Sequence, residues 1–340
     1  MDWSRGYSCA WRLFRVDAAT FLDRSIVGGV DSASIDRTVD GLLESASLTL
    51  TRDAGVPFQA GYYRLVLVAT QDRDAERAEV ATLWCSSAKS DGDHGIDVIA
   101  VEGRGVLWPA SRRKLRAGTY APAGTDGALY AARLLRECMA APVVVDGTFT
   151  VAEHVVFDLG STYLDAARAV LDAAGWQIVV DGHGTVTVRQ APTRPALDLT
   201  GGSVVPGITR GYDTSEVHNA YTAISGGITA TATNDDPASE VSTVARGYVD
   251  DEIDNSPTPL AGETLAAYAR RRLAEQSIVG DTYGYTREWV PGIHPGDLVR
   301  LRLNSQAVDA TARVTRQRLD CAHGIKVTEE AQVEVALWTP

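Results

Sequence analysis

Two stretches lying far apart in this chain read as the same short run of β structure, and that likeness narrows the possible folds more than any other feature. The first runs from Gly61-Tyr62-Tyr63-Arg64-Leu65-Val66-Leu67 to His94-Gly95-Ile96-Asp97-Val98. The second runs from Gly296-Asp297-Leu298-Val299-Arg300-Leu301-Arg302-Leu303 to His323-Gly324-Ile325-Lys326-Val327. Each has a Gly-led strand, an intervening strand, a polar turn and a final alternating strand ending in carboxylates, Glu102 in one and Glu329 and Glu334 in the other. Alternating β-branched and aromatic residues suit a pleated sheet with a buried face. A chain that repeats such a segment reads as duplicated. Duplication also has a geometrical use: three copies present six near-equivalent β units around one axis, so a closed trimer can dock on a sixfold ring.

The rest of the chain divides around these segments. Up to residue 116 it is strand-like, with strands expected around Leu48–Thr51, Tyr62–Val68, Glu79–Trp84 and Ile96–Val101, and a turn at Ser90-Asp91-Gly92-Asp93. A Gly- and Pro-bearing linker (Gly118, Pro122, Gly124) then leads into a helix capped by Thr125 or Asp126. Its apolar face is Ala128, Ala131, Ala132, Leu135 and Met139, and Pro142 stops it. A second helix opens on a capping box of Thr162 and Asp165, carries Leu164, Ala167, Leu171 and Ala174 on one face, and ends at Gly175. Trp176–Val180, the turn Asp181-Gly182-His183-Gly184 and Thr185–Val188 follow as a β-hairpin. Strands return from residue 196, interrupted by a polar loop at Asn234-Asp235-Asp236-Pro237 and by an acidic, proline-bearing segment from Asp250 to Pro259. A last helix is expected over Glu263–Gln276 with Leu265, Tyr268, Ala269 and Leu273 buried. The expected fold is α+β and β-dominated. Two related β-barrel domains, 1–116 and 196–340 (the second with one inserted helix), flank a small α+β helix-hairpin module at 117–195.

At 340 residues the chain has room for two or three domains. Its 45% hydrophobic and 22% charged residues suit a packed core and not a disordered chain. No apolar run approaches the ~18–20 residues that span a bilayer. The opening MDWSRGYSCAWRLFR lacks the apolar core of a secretory signal, so assembly in a cytoplasm is expected. A net charge of −12 argues against gripping nucleic acid through its phosphates, yet suits a surface past which nucleic acid slides without sticking. Among 32 basic residues only Lys89, Lys114 and Lys326 are lysines. A GC-rich coding sequence explains that bias better than a demand for interfacial arginine. Cys9, Cys85, Cys138 and Cys321 are scattered without a CxxC pair and read as buried free thiols.

Catalytic patterns are missing. His94, His154, His183, His218, His294 and His323 show no helical ligand spacing, and Cys321 with His323 lacks the second pair that a structural zinc needs. Gly201-Gly202-Ser203 is only half of a nucleophile elbow, and Gly28-Gly29 and Gly226-Gly227 read as turns or bulges. The carboxylates Asp250, Asp251, Glu252 and Asp254 read as a solvated loop ahead of an acid–base pair for glycans. The run Arg270-Arg271-Arg272 suits either a solvated face or a partner's acids. Trp84 and Trp176 read as core, whereas Trp3, Trp108 and Trp338 are candidates for an interface. The sequence thus points to no catalytic residue, no cofactor-binding residue and no metal ligand, and to a structural protein ahead of a wall-degrading hydrolase.

Four features together resemble the tail-tip or baseplate hub proteins of tailed phages and contractile injection systems. They are the strand block Leu42-Leu43-Glu44-Ser45-Ala46-Ser47-Leu48-Thr49-Leu50, the helix at Ser161-Thr162-Tyr163-Leu164-Asp165-Ala166 running into Trp176 and the Asp181-Gly182 hairpin, the turn Pro291-Gly292-Ile293-His294-Pro295-Gly296-Asp297, and the paired β regions. The resemblance implies a homotrimeric ring of two tube-like barrels per subunit with an α+β domain outside. Such a ring joins the tail tube or distal-tail ring protein to the spike, fibre or receptor-binding proteins, meets the tape-measure protein and lets DNA pass. It implies a place at the virion tail tip, assembled in the bacterial host cytoplasm, with no cofactor, no membrane span and no sequence-specific nucleic-acid binding. A sixfold distal-tail adaptor and a peripheral carbohydrate-binding baseplate protein are the rival positions in the particle, and copy number separates them.

Overall fold

A computed structural model describes residues 3, 6–39, 44–53, 58–93, 96–116, 118–172, 174–257, 259, 262–303 and 308–339. The chain forms two compact units, Met1–Ile208 with Gly284–Ala331, and Thr209–Tyr283 with Gln332–Pro340. Strands dominate both, as the alternating patterns require.

The first unit opens with Ser8–Val16 (β1), Asp23–Thr38 (β2), Glu44–Asp53 (β3), Gly61–Gln71 (β4), Asp74–Asp93 (β5) and Ile96–Gly105 (β6). These pair antiparallel in the order β1-β4-β5-β6-β3-β2, and β2 pairs again with β1, so the ladder of pairings returns to its start. Leu13, Ile35, Leu48, Leu50, Leu65, Leu67, Leu83 and Val101 share one core. The run at Tyr62–Val68 is continuously apolar, apart from Arg64, because β4 is covered on both faces. Tyr63, Leu65, Leu67 and Ala69 enter that first core, and Tyr62 joins a second core with the helices that follow.

The expected turn at Ser90-Asp91-Gly92-Asp93 is corrected. These residues continue β5, paired with Ile99, Val98, Asp97 and Ile96 of β6. Polar residues extend the strand because ladder pairing overrides local turn propensity. His94 and Gly95 lie outside the described residues, as do Leu42 and Leu43.

Next come Trp108–Arg112 (α1), Tyr120–Ala121 (β7), Gly127–Arg136 (α2), Val143–Asp146 (β8), Val155–Val156 (β9), Tyr163–Asp172 (α3), Trp176–Val180 (β10) and Val186–Gln190 (β11). Asp126 caps α2, accepting from the backbone N–H of Ala128 (3.0 Å) and Leu129 (3.1 Å). Thr162 and Asp165 form the reciprocal box: Asp165 N–H donates to Thr162 Oγ1 (3.1 Å), and Thr162 N–H donates to Asp165 Oδ2 (3.0 Å). Both helices bury small and leucine residues with Val143, Ile178, Val186 and Val188 of the sheet β10-β11-β8. β8 pairs in parallel with β11 and adds a third strand to the expected hairpin.

The remaining elements are Leu197–Thr200 (β12), Val204–Gly211 (β13), Ala220–Ser225 (β14), Ile228–Thr233 (β15), Thr243–Arg246 (α4), Asp251–Asp254 (β16), Leu265–Gln276 (α5), Ile278–Glu288 (β17), Leu298–Leu303 (β18), Val308–Cys321 (β19) and Ile325–Ala336 (β20). The Gly-led strands of the sequence repeat are β4 and β18. Each opens a three-strand run in chain order, β4-β5-β6 and β18-β19-β20. The two runs differ in their company. β19 also pairs with β2 from Arg316↔Thr38 to Cys321↔Ala33, which merges both segments into one twelve-stranded sheet.

In the second unit, β15-β14-β16 is a separate sheet. One face carries α5, with Tyr221, Ala223 and Ala232 packed on Tyr268, Ala269 and Leu273. The acidic stretch expected as a solvated loop is therefore corrected to an edge strand, β16, whose Ala220↔Asp251 to Ala223↔Asp254 register makes it parallel to β14.

Candidate functional site

A polar network in the first unit fastens the hairpin turn between β10 and β11 onto β4 and β5. Asp181 shapes the turn: its Oδ1 accepts from Thr185 N–H (2.8 Å) and its carbonyl accepts from Gly184 N–H (2.9 Å). The turn then meets β5 so closely that a Cβ on Gly182 would lie 1.9 Å from the Glu79 carbonyl oxygen. Thr82 Oγ1 donates to Gly182 O (3.0 Å).

Arg64, only 1% exposed, ties the parts together. Its guanidinium donates to His183 O (2.9 Å), Phe21 O (3.2 Å), Thr82 Oγ1 (3.1 Å) and Asp23 Oδ1 (2.5 Å). Burial lowers its pKa, while Asp23 and Glu79 oppose that shift. His183 Nδ1 is 3.0 Å from Glu79 Oε2 and its Nε2 is 3.4 Å from Arg64.

A second fastening joins the proline-glycine turn to β11. Asp297 Oδ2 accepts from His294 N–H (2.9 Å), and Asp297 N–H donates to His294 O (3.0 Å). The other carboxylate oxygen accepts from Arg189 of β11. Gly296 has φ +95°, and its missing Cβ would meet the Gln177 side chain at 2.8 Å. Behind the turn, Gln317 Nε2 donates to Ile293 O (3.0 Å) and to Glu329 Oε1 (2.7 Å). Glu329 is also bound by Arg287 at 2.8 and 2.5 Å, and both ions are fully buried. Burial next to Glu329 pushes the Tyr285 hydroxyl pKa far up.

Between the two fastenings lies a cavity of about 260 Å³, lined by Arg37, Arg77, Glu79, His183, Trp289 and His294 among others. Burial, then Arg37 and Arg189, lower the His294 pKa to about 3, so its ring is neutral. The cations on the wall are engaged within the chain: Arg37 with Glu44 (2.7 Å) and Val80 O (2.5 Å), Arg77 with Asp23 (2.6 Å). Charges neutralised in this way hold segments in register. They leave no free cation or carboxylate poised towards a substrate among these residues.

The residues singled out in the sequence are dispersed. Cys321 is buried beside β2, whereas His323 is exposed in the β19–β20 turn, and no cluster of three or more potential metal ligands occurs among the described residues. The Cys85 and Cys321 thiols are pushed up to about 12 by burial, as inert core thiols. Gly28 and Gly29 border a bulge where β1 skips Val27, and Gly226 and Gly227, both at positive φ, turn β14 into β15. Arg271 binds Glu263 and Glu275, and Arg272 binds Glu275, of their own chain while both stay partly exposed, and Arg270 is exposed. Trp3 packs edge-on against the buried Trp289 (5.2 Å), and Trp338 packs on the α5 core, so both are engaged internally. Sequence reasoning passed over Arg64 and the Arg287–Glu329 pair. The available signal was a lone cation inside an apolar strand.

The twelve-stranded sheet with its helix-bearing module is the fold of bacteriophage tail proteins, and the resemblance drawn from the sequence is met at that level. A tail protein from Neisseria meningitidis matches with a TM-score of 0.65 at 16% identity, over 97% of each chain. The 43 kDa tail protein of prophage MuSo2 from Shewanella oneidensis matches at 0.62 and 14% identity, over 95% of this chain and 97% of that one. A Francisella PdpA–VgrG complex matches at 0.58 and 7% identity, over 99% of this chain and 60% of that one. No family model matches the chain, and no curated protein matches it in sequence. No helix among the described residues is long and apolar enough to cross a membrane.

Proposed function

We propose that this chain is the structural hub of a phage tail tip or baseplate, three copies forming a ring that joins the tail tube or distal-tail ring to the spike or receptor-binding apparatus. The observation that carries this reading is the pair of three-strand runs, β4-β5-β6 and β18-β19-β20, merged through β2–β19 into a single sheet of the tail-protein fold. In this reading residues 1–116 and 196–340 supply two tube-like barrels per subunit. Three subunits then match a sixfold tube without a change of symmetry. The module at 117–195 is held to β4 by Arg64 and to the proline-glycine turn by Arg189.

The ring would have a lumen for DNA. An acidic chain of net charge −12 repels the phosphate backbone at short range and so favours passage over binding. Non-enzymatic action is part of the proposal. A cell-wall zymogram of purified protein should show no clearing, and clearing that Glu or Asp substitutions abolish would replace the structural reading with a hydrolytic one. Copy number tests the ring itself: three chains per particle support the hub, and six support a distal-tail adaptor.

A further inference from the structure

This acidic chain carries one dense basic run, Arg112-Arg113-Lys114-Leu115-Arg116, and all four of its cations are exposed. The run leaves α1 in extended form. Arg113 has φ −81° and ψ 124°, Tyr163 N–H donates to Arg113 O (3.0 Å), Leu115 N–H donates to Ser161 O (2.9 Å), and Lys114 bridges antiparallel to Thr162. Leu115 is buried in the core that holds α2 and α3, so Lys114 and Arg116 on either side of it face outward together. At ~3.3 Å per residue they stand about 7 Å apart. Arg113 is fixed, because its guanidinium donates to Glu137 O and lies 4.7 Å from the Tyr163 ring centre. Other exposed arginines find acids within the chain, as Arg316 does in Asp36 and Arg318 in Asp320. Arg112, Lys114 and Arg116 form no ion pair among the described residues, and Asp165, at the start of α3, is taken by Thr162.

We infer that Lys114 and Arg116, with Arg112 beside them, dock an extended acidic segment of a partner protein whose carboxylates stand at alternate positions. An extended polypeptide repeats its side chains on one face every second residue, which is the spacing of this row. Broader polyanions fit it poorly. The net charge of the chain is −12, so a membrane surface or a long nucleic-acid strand would also meet the acidic surface around the row and be repelled. Leu159, 86% exposed, precedes Gly160, where Lys114 Nζ lies 3.9 Å from the place a Cβ would take. The row therefore borders apolar surface that an amino-acid side chain covers and a phosphate does not. The contact needs no ring, so it is tested on the free chain and stands or falls apart from the hub reading.

The chain has only three lysines, Lys89, Lys114 and Lys326, and all are exposed, which makes them controls for one another in a zero-length cross-link. The full chain is treated with carbodiimide at low salt together with an N-acetylated peptide of alternating Glu and Thr bearing a Leu at each end. Mass spectrometry reads the yield of amide at each lysine. The expected result is at least tenfold more adduct at Lys114 than at Lys89 or Lys326. That excess should be lost in R112E/R116E and kept in R73E/R194E, which changes the net charge equally at exposed sites elsewhere. Equal yields at the three lysines, or an excess that survives R112E/R116E, overturns the docking row. An excess lost in both pairs is an effect of total charge and overturns it too. A block isomer of the peptide, all Glu before all Thr, should label Lys114 less, and equal labelling overturns the alternate register. Suppression of the Lys114 adduct by oligothymidylate or by phosphatidylglycerol vesicles, at charge concentrations below that of the peptide, overturns the acidic segment in favour of a phosphate surface. Without peptide, a dimer cross-linked through Lys114 makes the occupant a second copy and overturns the partner. Thermal melts establish that each variant is folded, and R116E alone replaces the pair if it is not, read by the same outcomes.

Discussion

Arg64 shows how one side chain can decide the placement of a module. A guanidinium 1% exposed and bonded to four groups from three segments cannot be removed without taking a donor from Asp23, which keeps only Arg77, and from the Phe21 and His183 carbonyls. Breaking one partner of a buried ionic network typically costs about 3–5 kcal/mol. R64M is expected to lower the urea midpoint by a corresponding amount without altering the far-ultraviolet spectrum at low denaturant. Gly182 acts through shape alone. With the Glu79 carbonyl 1.9 Å from any added Cβ, G182A must lift the turn off β5 and cost about 1–3 kcal/mol, whereas the same change at exposed Gly201, which has open space around it, should cost little. His294 gives a pH signature. Its folded pKa of about 3 lies below the unfolded value, so between these values only the unfolded chain takes up the proton, and stability falls as pH falls from about 6.5. The slope from this residue is at most about 1.4 kcal/mol per pH unit. Unfolding free energies measured from pH 7 to 4.5 should fall less steeply for H294L, and identical slopes would place the ring in water. None of these residues announces its role in sequence. Arg64 is a visible exception inside an apolar run, but its partners come from positions 21, 23, 82 and 183, which only the fold assembles.

Secondary-structure elements were legible where the signal is local. The caps at Asp126 and Thr162 and the faces of α2, α3 and α5 depend on residues three or four apart, and the structure realises them, except that Met139 lies beyond the end of α2 and Ala174 is exposed beyond the end of α3. D126A is expected to cost about 1 kcal/mol, read as a shift in the thermal midpoint, because two N–H groups lose their acceptor. Elements defined by pairing were hidden. β8 and β16 are four residues each, too short for periodicity to mark, and β16 reads as acidic loop until β14 pairs with it. The end of β5 carries turn-like residues that β6 pulls into the ladder. In each case backbone pairing from a distant segment outweighed side-chain preference.

At the scale of the whole molecule, the repeated β segments were visible from the start, but their union was not. The β2–β19 ladder joins Thr38 to Arg316, a relation that no local pattern carries, and the second unit is assembled from Thr209–Tyr283 and the separate stretch Gln332–Pro340. The likeness of the two segments nevertheless pointed towards symmetry, and symmetry is what the proposed function rests on. Three subunits with two tube-like segments each would present a sixfold surface to a tail tube, and the acidic balance would keep that channel from binding its DNA. The most direct test is the copy number of this chain in its assembled particle, read from a cryo-electron microscopy reconstruction of the tail tip. The account requires three copies in a closed ring, each contributing two β segments around one channel; a single copy, or six copies in a ring, would contradict it.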